Sequence, residues 1–187
     1  VAGTNFAYAT GHHQGRKAVF KVDLTDATDP VVVFSHPEVD VEDPLFTREG
    51  LLIGVRYQTE RPESYFFDPE IRSVYNAVRK VLPGRTISIV DMTLDRKAFV
   101  IHAERDTEPG TYFLLDLSRG EAKLDAIATG APGLAGKDLA PMRSIQMPSR
   151  DGTMIPGYIT LPVKSPAKGD PPLVVMPHGG PYARDSW

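Results

Sequence analysis

The feature that most limits what this chain can fold into is a repeated segment. Val19-Phe20-Lys21-Val22-Asp23, Ser64-Tyr65-Phe66-Phe67-Asp68 and Tyr112-Phe113-Leu114-Leu115-Asp116 each read as an aromatic-bearing strand ending in aspartate, and the aspartates stand 45 and then 48 residues apart. The runs before them repeat too: Arg48-Glu49-Gly50-Leu51-Leu52-Ile53 matches Asp95-Arg96-Lys97-Ala98-Phe99-Val100 at an offset of 47. A period of roughly 40 to 50 residues is that of β-propeller blades. A four-stranded blade cannot bury both faces alone, so it needs a neighbour stacked on each side around a central channel. Three blades do not close a ring. The same spacing can also arise by accident in a β-sandwich, and the repeat leaves that alternative open.

Turn residues support a β reading of the first two-thirds. With 16 glycines and 17 prolines between short runs of Val, Ile, Phe and Tyr, strands are predicted at 6–10, 18–24, 31–34, 51–57, 64–67, 86–90, 98–103, 111–117 and 122–126. One segment breaks the pattern. After Asp68-Pro69-Glu70, the apolar residues Ile71, Val74, Tyr75, Val78 and Leu82 recur at helical spacing until Gly84. Asp68 suits the cap and Pro69 the first helical position. An amphipathic helix covering its own domain is the plainest reading.

From Ala131 to Pro141 the composition loosens into that of a linker, with a short helical possibility around 135–139. This places a boundary between residues 1–140, the propeller blades, and 141–187, the start of a second domain. Beyond the boundary, Ser144–Met147 and Met154–Leu161 flank Asp151-Gly152, which predicts a hairpin with a two-residue turn. Pro171-Pro172-Leu173-Val174-Val175-Met176 is an apolar run without alternation, as expected of a strand buried on both faces in an α/β sheet.

That run ends in Pro177-His178-Gly179-Gly180-Pro181. In α/β-hydrolases the loop leaving the third strand supplies a backbone N–H to the oxyanion hole, and HGGG-type loops do so in lipases and esterases. Acyl transfer puts negative charge on the substrate carbonyl oxygen, so donors must already point there, and glycine lets backbone and substrate approach. An ordinary strand-ending turn would also use Gly-Gly-Pro.

The whole chain resembles the prolyl oligopeptidase-type serine peptidases, in particular their acylaminoacyl-peptidase and dipeptidyl-aminopeptidase-like branch. The resemblance rests on Ala140-Pro141-Met142-Arg143, Arg150-Asp151-Gly152 with Ile155-Pro156-Gly157-Tyr158-Ile159-Thr160-Leu161-Pro162, and Pro177-His178-Gly179-Gly180-Pro181 with Ala183-Arg184-Asp185. It is dense after Ala140 and looser before. It implies a ring of roughly seven blades capping an α/β-hydrolase domain whose Ser-Asp-His triad cleaves short peptides. It further implies no cofactor, and an oligomer of identical chains is compatible with it. Carried over by residue, it gives the oxyanion donor to the Gly180 N–H, the turn to Gly179, the loop exit to Pro181 and loop positioning to His178. Other branches carry a tyrosine where His178 stands, and the phenol donor is missing here.

The catalytic histidine of this family lies near the far C-terminus and is not in this chain. No serine has glycine two residues before and two after it, Ser118 coming closest with Gly120 after but Asp116 before. The chain, starting at Val1 and ending at Trp187, therefore reads as a fragment cut at both ends: about three blades of a β-propeller, then the first strands of an α/β-hydrolase domain. Alone it is expected to be inactive. Two rivals stand beside this reading: a non-catalytic propeller that binds proteins, and an esterase or lipase.

Charge and the remaining polar clusters narrow the choice further. Net charge is −3 and the pI near 6.0, with Lys and Arg scattered, which argues against nucleic-acid binding. No apolar run approaches the ~18 residues of a membrane span. The chain has no cysteine, which removes disulfides and thiolate metal sites without deciding between cytoplasm and periplasm. His12 and His13 read as solvated loop residues without a third metal ligand. Glu38, Asp40, Glu42 and Asp43 read as a solvated loop or strand edge rather than a cation site. Arg184 and Asp185 fit either a substrate cleft or a mutual ion pair.

Overall fold

A computed structural model describes residues 3–26, 29–164, 169–180 and 183–187. The protein is mostly β, built from small antiparallel sheets. Packing divides it into two compact units, Val1–Ile87 and Ser88–Trp187.

In the first unit, β1 (Phe6–His13), β2 (Arg16–Asp23) and β3 (Val31–Phe34) form one meander, and β4 (Val41–Phe46), β5 (Leu52–Gln58) and β6 (Pro62–Phe66) form a second. Gln14 and Gly15, at φ 52° and 81°, make the two-residue turn of the first hairpin, where His13 pairs with Arg16. Val19, Val41 and Val55 have no exposed surface and form one cluster. Tyr8, Val33, Phe34, Leu52, Tyr57 and Phe67 pack around it. The other face of the second meander is closed by α1 (Pro69–Val81), whose Tyr75 ring meets Phe66 edge-on at 5.1 Å. Ile53, Gly54 and Val55 of β5 are accordingly all buried rather than alternating.

The helix starts where the sequence places it. Asp68 Oδ1 accepts from the amides of Glu70 (3.0 Å) and Ile71 (3.1 Å), satisfying donors the first turn leaves open. Ile71, Tyr75 and Val78 are its buried face. By chain order α1 follows Asp68 as β3 follows Asp23, so a helix takes the place of an outermost strand.

β7 (Thr86–Met92) spans the division between units and forms a four-stranded meander with β8 (Ala98–Arg105), β9 (Glu108–Asp116) and β10 (Lys123–Thr129), in the order β10-β9-β8-β7. Phe99, Ile101 and Ala103 alternate as buried residues of β8, with Phe99 opposite Leu115. One face of β8 therefore makes the core. A 3₁₀ turn at Pro132–Leu134 follows, a little before the helical possibility read at 135–139. Then β11 (Met142–Pro148) pairs with β12 (Met154–Thr160) as a two-stranded hairpin.

Several expectations need correction. β4 is legible in the sequence only as an acidic loop or edge; it is an edge strand, with Glu42 and Asp43 inside it. The turn preceding β5 matches that preceding β8 at an offset of 46 rather than 47. Gly50 N donates to Thr47 O and Arg96 N to Thr93 O, and Gly50 and Arg96 take φ 81° and 57°. Residue type alone could not fix that register, whereas turn geometry does. The β11–β12 connection is not a two-residue turn. Ser149 N donates to Thr153 O and Gly152 N to Ser149 O, and Gly152 carries the positive φ of 85° that closes a three-residue loop.

The largest departure concerns Leu173–Met176. The run is in no strand, and its four side chains are 75–81% exposed. An apolar run becomes a strand only when neighbours supply a ladder for its backbone, and no described residue does so here.

Candidate functional site

The sequence concentrates its chemistry in the loop after Met176. His178 lies outside any helix or strand, and Gly179 and Gly180 form a bend. The His178 ring donates from Nδ1 to the Gly179 carbonyl at 2.9 Å. This contact folds the imidazole back onto the loop it belongs to. Gly180 has φ +120°, a region that residues with a Cβ rarely adopt. At Gly179 an added Cβ would meet nothing within 4 Å. The conformational demand for glycine therefore falls on Gly180, whereas the resemblance gives the turn to Gly179. Pro181, read as fixing the loop exit, lies outside the described residues.

The chain then returns to the hairpin. Arg184 donates to the Tyr158 hydroxyl at 3.4 Å, and Trp187 meets the Tyr158 ring edge-on at 5.6 Å. Tyr158 of β12 is not among the candidates the sequence offers for a role in the site, although it lies within the Ile155–Pro162 motif that carries the resemblance.

Several of the remaining candidates have structural employment. Ser118 donates its hydroxyl to Asp116 at 2.6 Å, closing the turn after β9. His12 and His13 are consecutive residues of β1 rather than loop residues, so they point to opposite faces. His13 packs edge-on against Phe20 at 6.4 Å. Asp40 accepts from the Lys17 amide at 2.7 Å, and Lys17 Nζ donates to the Glu42 carbonyl at 2.9 Å. The acidic stretch thus fastens the second meander to β2. Among the described residues, no group of three or more His, Asp or Glu side chains is placed to hold a metal. No described helix is long and apolar enough to cross a membrane.

Fold and loop together define a mostly β chain of consecutive antiparallel meanders and a hairpin, with a Gly-Gly bend at residues 179–180. Its similarity to known proteins is of the peptidase kind. The chain is 29% identical to dipeptidyl aminopeptidase BIII of Pseudoxanthomonas mexicana over an alignment of 192 positions, covering 99% of this chain and 27% of that relative. It therefore spans about a quarter of the length of that protein. No protein-family model matches.

Proposed function

We propose that this chain is part of a serine peptidase of the prolyl oligopeptidase type that hydrolyses short peptides near their N-terminus through an acyl-enzyme. Residues 1–140 are the last blades of its propeller and 141–187 the opening strands of its α/β-hydrolase domain. The observation that carries this reading is the similarity to a dipeptidyl aminopeptidase, which covers 99% of the chain. Three successive meanders on a repeat of blade length support the propeller part.

In this reading the Gly180 N–H is one donor to the tetrahedral intermediate, and the positive φ at that residue is a backbone conformation that glycine takes most readily. Leu173–Met176 is an interior strand whose partners belong to the rest of the hydrolase domain, which accounts for an apolar run that is otherwise exposed. The serine, aspartate and histidine of the triad lie outside this chain, so the chain alone does not turn over substrate. Short peptides are the substrate class because a propeller over the active site admits only small or unfolded chains.

The test is to assay the full-length protein against dipeptidyl and aminoacyl anilides and against simple acyl esters. Release of anilide supports the peptidase. Exclusive ester turnover points to an esterase, and turnover of neither points to a propeller that only binds proteins.

A further inference from the structure

The segment between β10 and β11 is tied at both ends to the same end of the β8–β9 hairpin. At its start, Gly130 N donates to the Gly110 carbonyl at 2.6 Å, continuing the pairing of β10 with β9. At its finish, Met142 N donates to Asp106 Oδ2 at 2.6 Å, a contact between residues 36 apart and partly buried. Asp106 and Thr107 are the two-residue tip between β8 and β9, flanked by the paired residues Arg105 and Glu108, whose side chains form an ion pair. The other oxygen of Asp106 accepts from the Thr107 amide at 3.1 Å, which fixes the carboxylate on its own turn. Residues 131–141 are therefore not a free linker: they leave and rejoin one hairpin end.

The two anchors differ in kind. Gly130–Gly110 is a backbone ladder bond and shares the stability of its sheet. Met142–Asp106 joins the first amide of β11 to a side chain, so it can break without disturbing any strand pair. Charge-assisted bonds of this type are short and about twice as strong as neutral ones.

We propose that Asp106 is a latch whose carboxylate, by holding the Met142 amide, fixes the pivot on which the β11–β12 hairpin and the following His178–Gly180 loop are carried. With the bond made, the hairpin has one seat on the end of the four-stranded sheet. With it broken, residues 131–141 become a hinge. The latch stands on geometry alone, while its bearing on hydrolysis rests on the function proposed above.

The test is hydrogen exchange read by mass spectrometry on the intact protein, comparing a peptide over 140–148 with one over 97–103, together with the rate of tryptic cleavage after the exposed Lys137. Asp106→Ala is expected to speed exchange in the first peptide and cleavage at Lys137 by about tenfold or more, as for loss of a hydrogen bond to a charged group, with the β8 peptide unchanged. Asp106→Asn keeps the shape and one acceptor oxygen, so it is expected to give a smaller rise in the same peptide, and it carries the test if the alanine variant does not fold. Equal exchange in wild type and a folded variant would overturn the latch. So would a rise shared equally by the β8 peptide, because Asp106 would then serve the sheet. Absence of peptide turnover would remove the proposed activity and leave the exchange result standing.

Discussion

Asp116 Oδ1 accepts both the hydroxyl of Ser118, at 2.6 Å, and its amide, at 2.8 Å. Asp23 does the same with Thr25, accepting the hydroxyl at 2.7 Å and the amide at 2.9 Å. Asp68, the third repeat aspartate, also accepts from the amide two residues on, that of Glu70, and there the turn runs on into a helix. The repeated aspartate is thus a turn device, a carboxylate that closes the chain after an aromatic strand. The same device starts either an outer strand or α1, according to the residues on its C-terminal side.

These bonds set a pH dependence. The Ser118 hydroxyl and then its amide hold Asp116 below the ordinary carboxylate value of 3.8. The amide and then the hydroxyl of Thr25 lower Asp23, the Thr93 hydroxyl and then the Lys97 amide lower Asp95, and the Thr153 amide and then its hydroxyl lower Asp151. A carboxylate with a folded pKa below its unfolded value contributes stability that is full above the unfolded pKa and is lost as pH falls through the folded one. Melting temperature is therefore expected to hold steady down to about pH 4 and to fall below it. Asp116→Asn should make that fall shallower, and an unchanged acid limb in this variant would count against the turn bonds.

Asp68→Ala removes the cap of α1. The expected cost is about 1 kcal/mol, read as a lower urea midpoint at an unchanged slope. No loss of stability would mean that Pro69 and the packing of Tyr75 on Phe66 start the helix unaided.

Two glycines in strands should respond differently to alanine. A Cβ at Gly54 would press into the Tyr65 carbonyl oxygen, which belongs to the paired strand β6 and cannot swing aside. A Cβ at Gly110 would meet the end of the His102 ring, which can rotate away from its contact with Tyr112. Gly54→Ala is expected to cost about 1–3 kcal/mol and Gly110→Ala less, as measured by chemical denaturation of each variant.

If Gly180 is the proposed oxyanion donor, Gly180→Ala in the full-length protein is expected to lower kcat by about 10²–10³-fold, the range for loss of such a donor, because φ +120° is a conformation that a residue with a Cβ rarely adopts. Gly179→Ala should change kcat by less than about tenfold, since its Cβ meets open space. The comparison is made on purified variants with matched melting temperatures. Equal effects at the two positions would remove Gly180 from its proposed role.

Part of this structure is written locally, in residues that act on their near neighbours. Asp68 and Pro69 announce the start of α1, and the spacing of Ile71, Tyr75 and Val78 announces its buried face. The aromatic strands before Asp23, Asp68 and Asp116 are legible for the same reason, since alternation and turn chemistry need only a few consecutive residues. In the loop, residue type points to His178, Gly179 and Gly180 together, but only backbone geometry singles out Gly180 as the residue that must lack a side chain.

What the sequence determined by itself was therefore where its helix begins and which segments are extended wherever alternation and turn residues mark them, as before Asp23, Asp68 and Asp116. Tertiary structure alone decided that the acidic stretch containing Val41 is a strand seated on β2, that Asp106 reaches the Met142 amide, and that Leu173–Met176 stands exposed. The reason is that a strand, and any bond between residues distant in sequence, exists only through a partner, and an apolar run carries no record of which backbone will pair with it.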